Sequence, residues 1–249
     1  MTNNEVELPP GIELAWGLRD HSRRGPKPGL TLDRIVKAGI DIARADGIAA
    51  VSMARVAAGL GVGTMSLYRY VGAKDELVRV MADTALGTPQ SGPTDEDWRA
   101  GLTRWATGMR ASYRRNPWLL DVPVSATMLA PNSVAWMEAA LRCLASTPLS
   151  EQQKLSTALL VSGFVRNEAA LSADVVGTDN QAAQQFGPAL AQLTDPVRFP
   201  ALHRALASGA LEDDDGLEAE FDFGLQCILD GVATLIDTRR RPRSSPHRR

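Results

Sequence analysis

The stretch VAAGLGVGTMSLYRYV, residues 56–71, bends two short helical patterns around a glycine corner. Ser52 can cap a helix from Met53 to about Leu60, with Val56, Ala57 and Leu60 on its inward stripe. Gly61 and Val62 form the corner, and a next helix runs from about Gly63 or Thr64 to Tyr70. Two short helices joined by a tight glycine-containing turn make a helix-turn-helix, whose second helix enters the DNA major groove. With Leu67 and Val71 packed inward at i and i+4, Thr64, Met65, Ser66, Tyr68 and Arg69 stand on surfaces that face outward. Hydroxyls and a guanidinium suit phosphates and base edges, and Met65 offers apolar contact to a thymine methyl. Lys74, at the next helix start, can hold a phosphate with its charge and nearby backbone N–H groups. Arg55 and Ser52 add candidate contacts from the preceding helix.

The flanks of this unit are also patterned. Thr31 is a good N-cap with Asp33 in the first turn, and Leu32, Ile35, Val36, Gly39, Ile42 and Ala43 recur at helical spacing before Gly47. A further helix spans Lys74 to about Leu86, with Leu77, Val78 and Met81 inward. Between His21 and Lys74 nine basic side chains face only Asp33, Asp41 and Asp46, whereas residues 95–237 lean acidic, so the net charge of −2 hides two opposed regions. A basic block beside an acidic body implies that one part meets a polyanion. SRRGPKPGL, residues 22–30, reads as an extended, proline-broken arm whose Arg23, Arg24 and Lys27 could enter a minor groove; a merely solvated arm is the alternative. Before it, Ile12, Leu14, Ala15, Trp16 and Leu18 can form a short amphipathic helix, packed on the body or a partner subunit or else frayed.

GTPQSGPTDED, residues 87–97, is a linker. After it come longer helical patterns: one ending at Asn116-Pro117, one from Asn132 to about Ser146, one entered through a capping box at Ser150 and Gln153, and a last from about Leu217 to Asp237. Strand-like alternation is sustained nowhere, so an all-α fold is expected. The expected division is an extension and arm at 1–30, a helix-turn-helix domain at 31–86, a helical effector-binding and dimerisation domain at 95–240, and a basic tail at 241–249. Two cysteines without C-x-x-C spacing suggest neither disulfide framework nor zinc site. No long apolar run and no basic-then-apolar start occur, so a soluble cytoplasmic protein without membrane contact is expected. The three histidines are scattered, and no G-x-S-x-G, H-E-x-x-H, phosphate loop or dinucleotide fingerprint is present; no catalytic residue, cofactor or metal is expected. His203 reads as a helix-surface residue, and the aspartate run 213–215 as a solvated loop.

As an ordered set, VAAGLGV, SLYRYV and KDEL within residues 31–84 resemble the DNA-binding region of TetR-family transcriptional regulators. RRNPWLLDVP and FDFGLQCILDGVATLI look like the C-terminal domain of the branch that includes tetracycline repressors. The resemblance implies a helical reader and a ligand-binding body. It further implies a homodimer, paired through two long late helices, that releases double-stranded operator DNA on binding an effector. Tyr68, Tyr70 and Lys74 fall at positions that commonly meet the DNA backbone in that family.

Aromatics and methionines of the body are candidates for an effector cavity: Trp98, Trp105, Met109, Tyr113, Trp118, Trp136, Met137 and Phe164. Arg166, Asn167 and Glu168 could anchor a small apolar or amphipathic effector. Ordinary core for the former and surface exposure for the latter stay open. So do a DNA-binding dimer without a small-molecule ligand and a helical enzyme using carboxylates.

Overall fold

The structure is a computed structural model that describes residues 8–9, 11–18, 30–93, 95–177, 180–209 and 216–240. These residues form helices and no strand, and the chain divides into two compact units between Ala158 and Leu159. The first unit carries α1 (Ile12–Ala15), α2 (Leu32–Asp46), α3 (Met53–Gly59), α4 (Thr64–Leu67) and α5 (Lys74–Leu86). It continues with α6 (Trp98–Arg115), a 3-10 turn at Pro117–Asp121, α7 (Val124–Thr127), α8 (Pro131–Cys143) and the start of α9 (Glu151–Gly177).

Thr31 opens α2 as expected: its Oγ1 accepts the Arg34 N–H at 3.2 Å. The buried stripe is Ile35, Val36, Gly39, Ile40 and Ala43; Ile42, expected inward, is half-buried. Gly39 has a packing reason, because a Cβ there would lie 2.5 Å from the Met81 sulfur of α5. Ser52 caps α3 through the Arg55 N–H at 3.2 Å, and Gly61 turns the corner with φ +66°. The α4 helix is shorter than expected, ending at Leu67 instead of Tyr70. Its continuation tightens into a turn, with Tyr70 N–H on the Leu67 carbonyl at 2.8 Å. The Gly72 N–H then donates to the Glu76 carboxylate at 2.8 Å, just ahead of the Ala73 N-cap of α5, which has no side-chain bond of its own.

Leu67, Val71, Leu77 and Met81 are fully buried in one core with Ile35 and Val56, which also takes in Trp118 and Leu119 from the 3-10 turn. Residues 11–18 pack on this unit. Ile12 and Leu14 of α1 are buried against α5, and the Trp16 indole N–H donates to the Leu129 carbonyl at 2.8 Å.

Asp97 caps α6 through the N–H groups of Arg99 (2.9 Å) and Ala100 (3.2 Å), and Ser150 and Gln153 close the expected capping box before α9. The helix expected from Asn132 to Ser146 starts at Pro131 and ends at Cys143, where Leu144 N–H turns back onto Leu141.

The second unit holds the rest of α9, α10 (Asn180–Leu193), α11 (Pro200–Ala207) and α12 (Gly216–Arg240). Phe221, Leu225, Leu229, Val232 and Ile236 make the buried stripe of α12, and Phe221 stacks on Phe164 of α9 with centroids 5.6 Å apart. Gly224 lets Phe164 approach, since a Cβ there would lie 2.5 Å from that ring. His203, expected on a surface, is half-buried with its ring nitrogen 3.0 Å from both the Thr194 hydroxyl and carbonyl.

Candidate nucleic-acid interface and effector cleft

Leu67 and Val71 are fully buried, and that anchoring fixes what α4 presents. Met65 is 77% exposed and Tyr68 44%, Arg69 is exposed, and Thr64 and Ser66 are half-buried beside them. Neither Arg69 nor Lys74 makes an ion pair within the described residues. Lys74 is exposed at the first position of α5. The uncapped N–H groups and the lysine charge there together favour an anion.

The other expected contacts sit differently. Ser52 spends its hydroxyl on capping α3, and the Arg55 guanidinium pairs with Asp46 on the exposed surface. Tyr70 is half-buried; its hydroxyl donates to the Leu30 carbonyl at 2.9 Å, which fixes the chain just ahead of α2. Arg23, Arg24, Lys27 and the aspartate run 213–215 lie outside the described residues.

A second constellation, missed from sequence, joins α5 to the helices that follow. Of the last carbonyls of α5, that of Asp83 accepts the Gly87 N–H at 3.2 Å and those after it lack helical N–H partners; side chains add bonds at this end. Asn132 Nδ2 donates to Asp83 O at 2.9 Å, Asn116 Nδ2 to Ala85 O at 3.0 Å and Ser112 Oγ to Leu86 O at 2.9 Å. The Trp136 indole N–H donates to Gly87 O at 2.8 Å. Asp83 completes the joint by capping α8: its carboxylate accepts the N–H groups of Asn132 (2.9 Å) and Ser133 (3.3 Å). Burial raises the Asp83 carboxyl above the usual carboxylate range, and these two backbone bonds pull against that rise. Arg44 Nε ties α2 to the same place through Asn116 Oδ1 at 2.8 Å. The one sequence signal for this joint was a carboxylate two residues after Met81 on a largely apolar helix.

A cleft of about 470 Å³ opens between α6, α8 and the linker residues Thr88–Pro93. Arg104 pins the linker over it, donating to the Gln90 carbonyl at 2.6 Å and to the Glu96 carboxylate at 2.6 Å. Pairing with Glu96 strengthens the charged form of Arg104, while burial raises the Cys143 thiol at the same wall.

The residues expected around an effector fall into separate settings. Trp105 and Trp136 meet edge to face at 5.8 Å, with the Trp105 N–H on the Trp136 carbonyl at 2.8 Å. Met109 is buried on α6, and Met137 is exposed on α8. Trp118 is buried in the reader core, and Tyr113 is half-buried against it. Phe164 stacks on Phe221 in the second unit, where Asn167 is exposed. Of the expected anchors, Glu168 is buried and accepts the Ser172 hydroxyl at 2.8 Å.

Among the described residues no helix is long and apolar enough to cross a membrane, and no group of three or more His, Cys, Asp or Glu could hold a metal. Residues 35–81 match the family described as "Bacterial regulatory proteins, tetR family", and residues 88–236 match "Tetracyclin repressor-like, C-terminal domain". The chain is 38% identical to HTH-type transcriptional repressor DrrR1 of Streptomyces coeruleorubidus over 98% of this chain and 92% of that one. It is 30% identical to HTH-type transcriptional repressor Rv1353c of Mycobacterium tuberculosis, over 91% and 88% respectively. The crystal structure of ActR from Streptomyces coelicolor in complex with actinorhodin superposes with a TM-score of 0.73 at 29% identity, over 84% of this chain and 98% of that one.

Proposed function

Because the chain belongs to the TetR family of bacterial regulatory proteins, we propose that it binds a palindromic operator as a homodimer and is released by a small-molecule effector. It is a transcriptional regulator and not an enzyme, and its relatives are repressors. The observation that carries the reading is the outward row Met65, Tyr68 and Arg69 on α4 and the turn that follows it, locked from behind by Leu67 and Val71. Two such helices, related by a two-fold axis, enter successive major grooves with half-site centres about 34–36 Å apart. Thr64, Ser66 and Lys74 hold phosphates and set the register, while Met65 and Arg69 read base edges.

Dimerisation is supported by apolar side chains left outside. Leu159, Leu160 and Leu171 of α9 and Phe223 and Leu235 of α12 are exposed on the two long helices of the second unit. Pairing with a second copy would cover such faces. An effector then acts by binding more tightly to a conformation in which the readers are misplaced, since equal affinity for both states shifts no population. ActR, a family member crystallised with actinorhodin, supports a small-molecule effector here.

The test is selection of bound sequences from a random duplex library by the purified protein at fixed salt. Enrichment of one palindrome supports the reading. A folded, dimeric protein that enriches nothing over random DNA overturns it.

A further inference from the structure

We propose that residues 11–18 are a clasp that holds the reader at one angle on α7 and α8. Gly11 and Trp16 are its positioning residues, and they set the half-site spacing the protein accepts without touching DNA. The inference rests on the operator-binding reading above.

The sequence builds this segment as a closed unit. The Pro9 carbonyl accepts the Ile12 N–H at 3.1 Å, which opens the single turn of α1. At the other end the Leu18 N–H returns to the Glu13 carbonyl at 2.8 Å and the Gly17 N–H to the Leu14 carbonyl at 3.1 Å, the bond pair of a Schellman motif. So short a helix is not stable alone; burial keeps it. Ile12 and Leu14 are 2% and 3% exposed, and Leu14 joins the reader core.

The two ends of the segment grip different helices. At Gly11, with φ +90°, a Cβ would lie 3.1 Å from the Glu76 Cα, so the chain rests directly on the backbone of the first turn of α5. Trp16 is exposed, yet its indole N–H is committed to the Leu129 carbonyl, one residue before the Ala130 N-cap of α8. Asp83 takes the Asn132 and Ser133 N–H groups at the same corner. Asp83 lies about 10 Å along α5 from Glu76. The corner at 129–133 therefore holds α5 twice, through Asp83 near its C-terminus and through the clasp near its N-terminus. A rod tied at one point pivots, and a rod tied at two keeps its angle.

The consequence follows from symmetry. In the proposed dimer the separation of the two α4 helices depends on the angle of α5 against α8, the helix that leads into α9. Residues 11–18 carry one acid, Glu13, and no base, so attraction to phosphate is not what they add. What they add is a fixed distance. Without the clasp, base readout persists, because Leu67 and Val71 still anchor Met65 and Arg69, while rejection of misspaced half-sites is lost.

The test titrates full-length wild type, Gly11→Val and Trp16→Phe against the library-selected operator and against versions with one or two base pairs added or removed at its centre. Gly11→Val sets a branched side chain against the α5 backbone and lifts the clasp; Trp16→Phe removes only the N–H donor. Wild type should prefer its own spacing at least about tenfold. Gly11→Val should bind that operator about fivefold more weakly and discriminate spacing by about threefold or less, with base preference and salt slope unchanged. Trp16→Phe should lose at least about half of the spacing preference with an unchanged melting curve. A role in stability alone lowers the active fraction and leaves the spacing ratio at its wild-type value, and that result in a folded variant overturns the inference. A changed base preference or salt slope also overturns it, by placing the segment on DNA. Should Gly11→Val not fold, Trp16→Phe decides alone. A wild type that enriches no duplex removes the operator reading instead. The clasp is then tested by amide hydrogen exchange at residues 76–87, which rises at least about threefold in Trp16→Phe if the clasp holds α5 and stays at the wild-type rate if it does not.

Discussion

Leu67 and Val71 hold the reader together by apolar burial, whereas α6 and α8 meet the end of α5 through four side-chain bonds to the carbonyls of Asp83, Ala85, Leu86 and Gly87. The two kinds of contact respond differently to displacement. Apolar packing loses energy in proportion to the area and void created, and it resists deformation in all directions. Hydrogen bonds to named carbonyls have a register, and in a buried setting a bond half made is worse than none. The reader should therefore move as one piece, and the joint at Asp83–Gly87 should be where two arrangements can exchange.

The most damaging way to break this contrast is Leu67→Ala. It removes a side chain with no exposure and should cost about 2–5 kcal/mol in chemical denaturation, with operator binding lost alongside. Asn116→Ala attacks the joint instead. It strips the Ala85 carbonyl and the Arg44 guanidinium of a buried partner, at an expected cost of about 1–3 kcal/mol, and should alter effector response more than it alters base preference. A reversed pattern, with base preference changed and effector response intact, would collapse the distinction between reader and joint.

Lys74→Ala sharpens the reader side. It should weaken matched and mismatched DNA alike and lower the slope of log affinity against log salt by about one, read from titrations at several salt concentrations. The smallest effect belongs to Asp83→Asn. Burial raises the Asp83 carboxyl in the folded chain, so between the unfolded and folded values the folded state binds more protons and stability falls as pH rises. That contribution is complete below the ordinary carboxylate value and is lost as pH passes the raised one. Denaturation midpoints measured from about pH 4 upward should fall less steeply in Asp83→Asn than in wild type.

The same contrast explains what could be read without coordinates. Thr31, Ser52, Gly61 and Leu67 act on neighbours within a few residues, so caps, corner and inward face were legible from spacing. The early end of α4 was not, because the Tyr70 N–H turns back onto the Leu67 carbonyl in a tighter step that no residue type there signals. Trp118 looked like a cavity wall but packs into the reader core, and the joint pairs residues 26 to 49 positions apart. No local pattern marks such a pairing: Asn116 and Asn132 read as helix ends, which they are, while their amides serve another helix. The cleft was missed for a related reason, since its roof is a proline- and glycine-rich linker that reads as mere connection.

The most direct test of the reader is Arg69→Ala, titrated against the library-selected operator and its single base-pair variants at one salt concentration. The account predicts a loss of about 1–3 kcal/mol on the selected operator, relaxed preference at one symmetric pair of positions, and an unchanged melting curve. Equal affinity for wild type and Arg69→Ala across all the duplexes would contradict the placement of α4 in the groove.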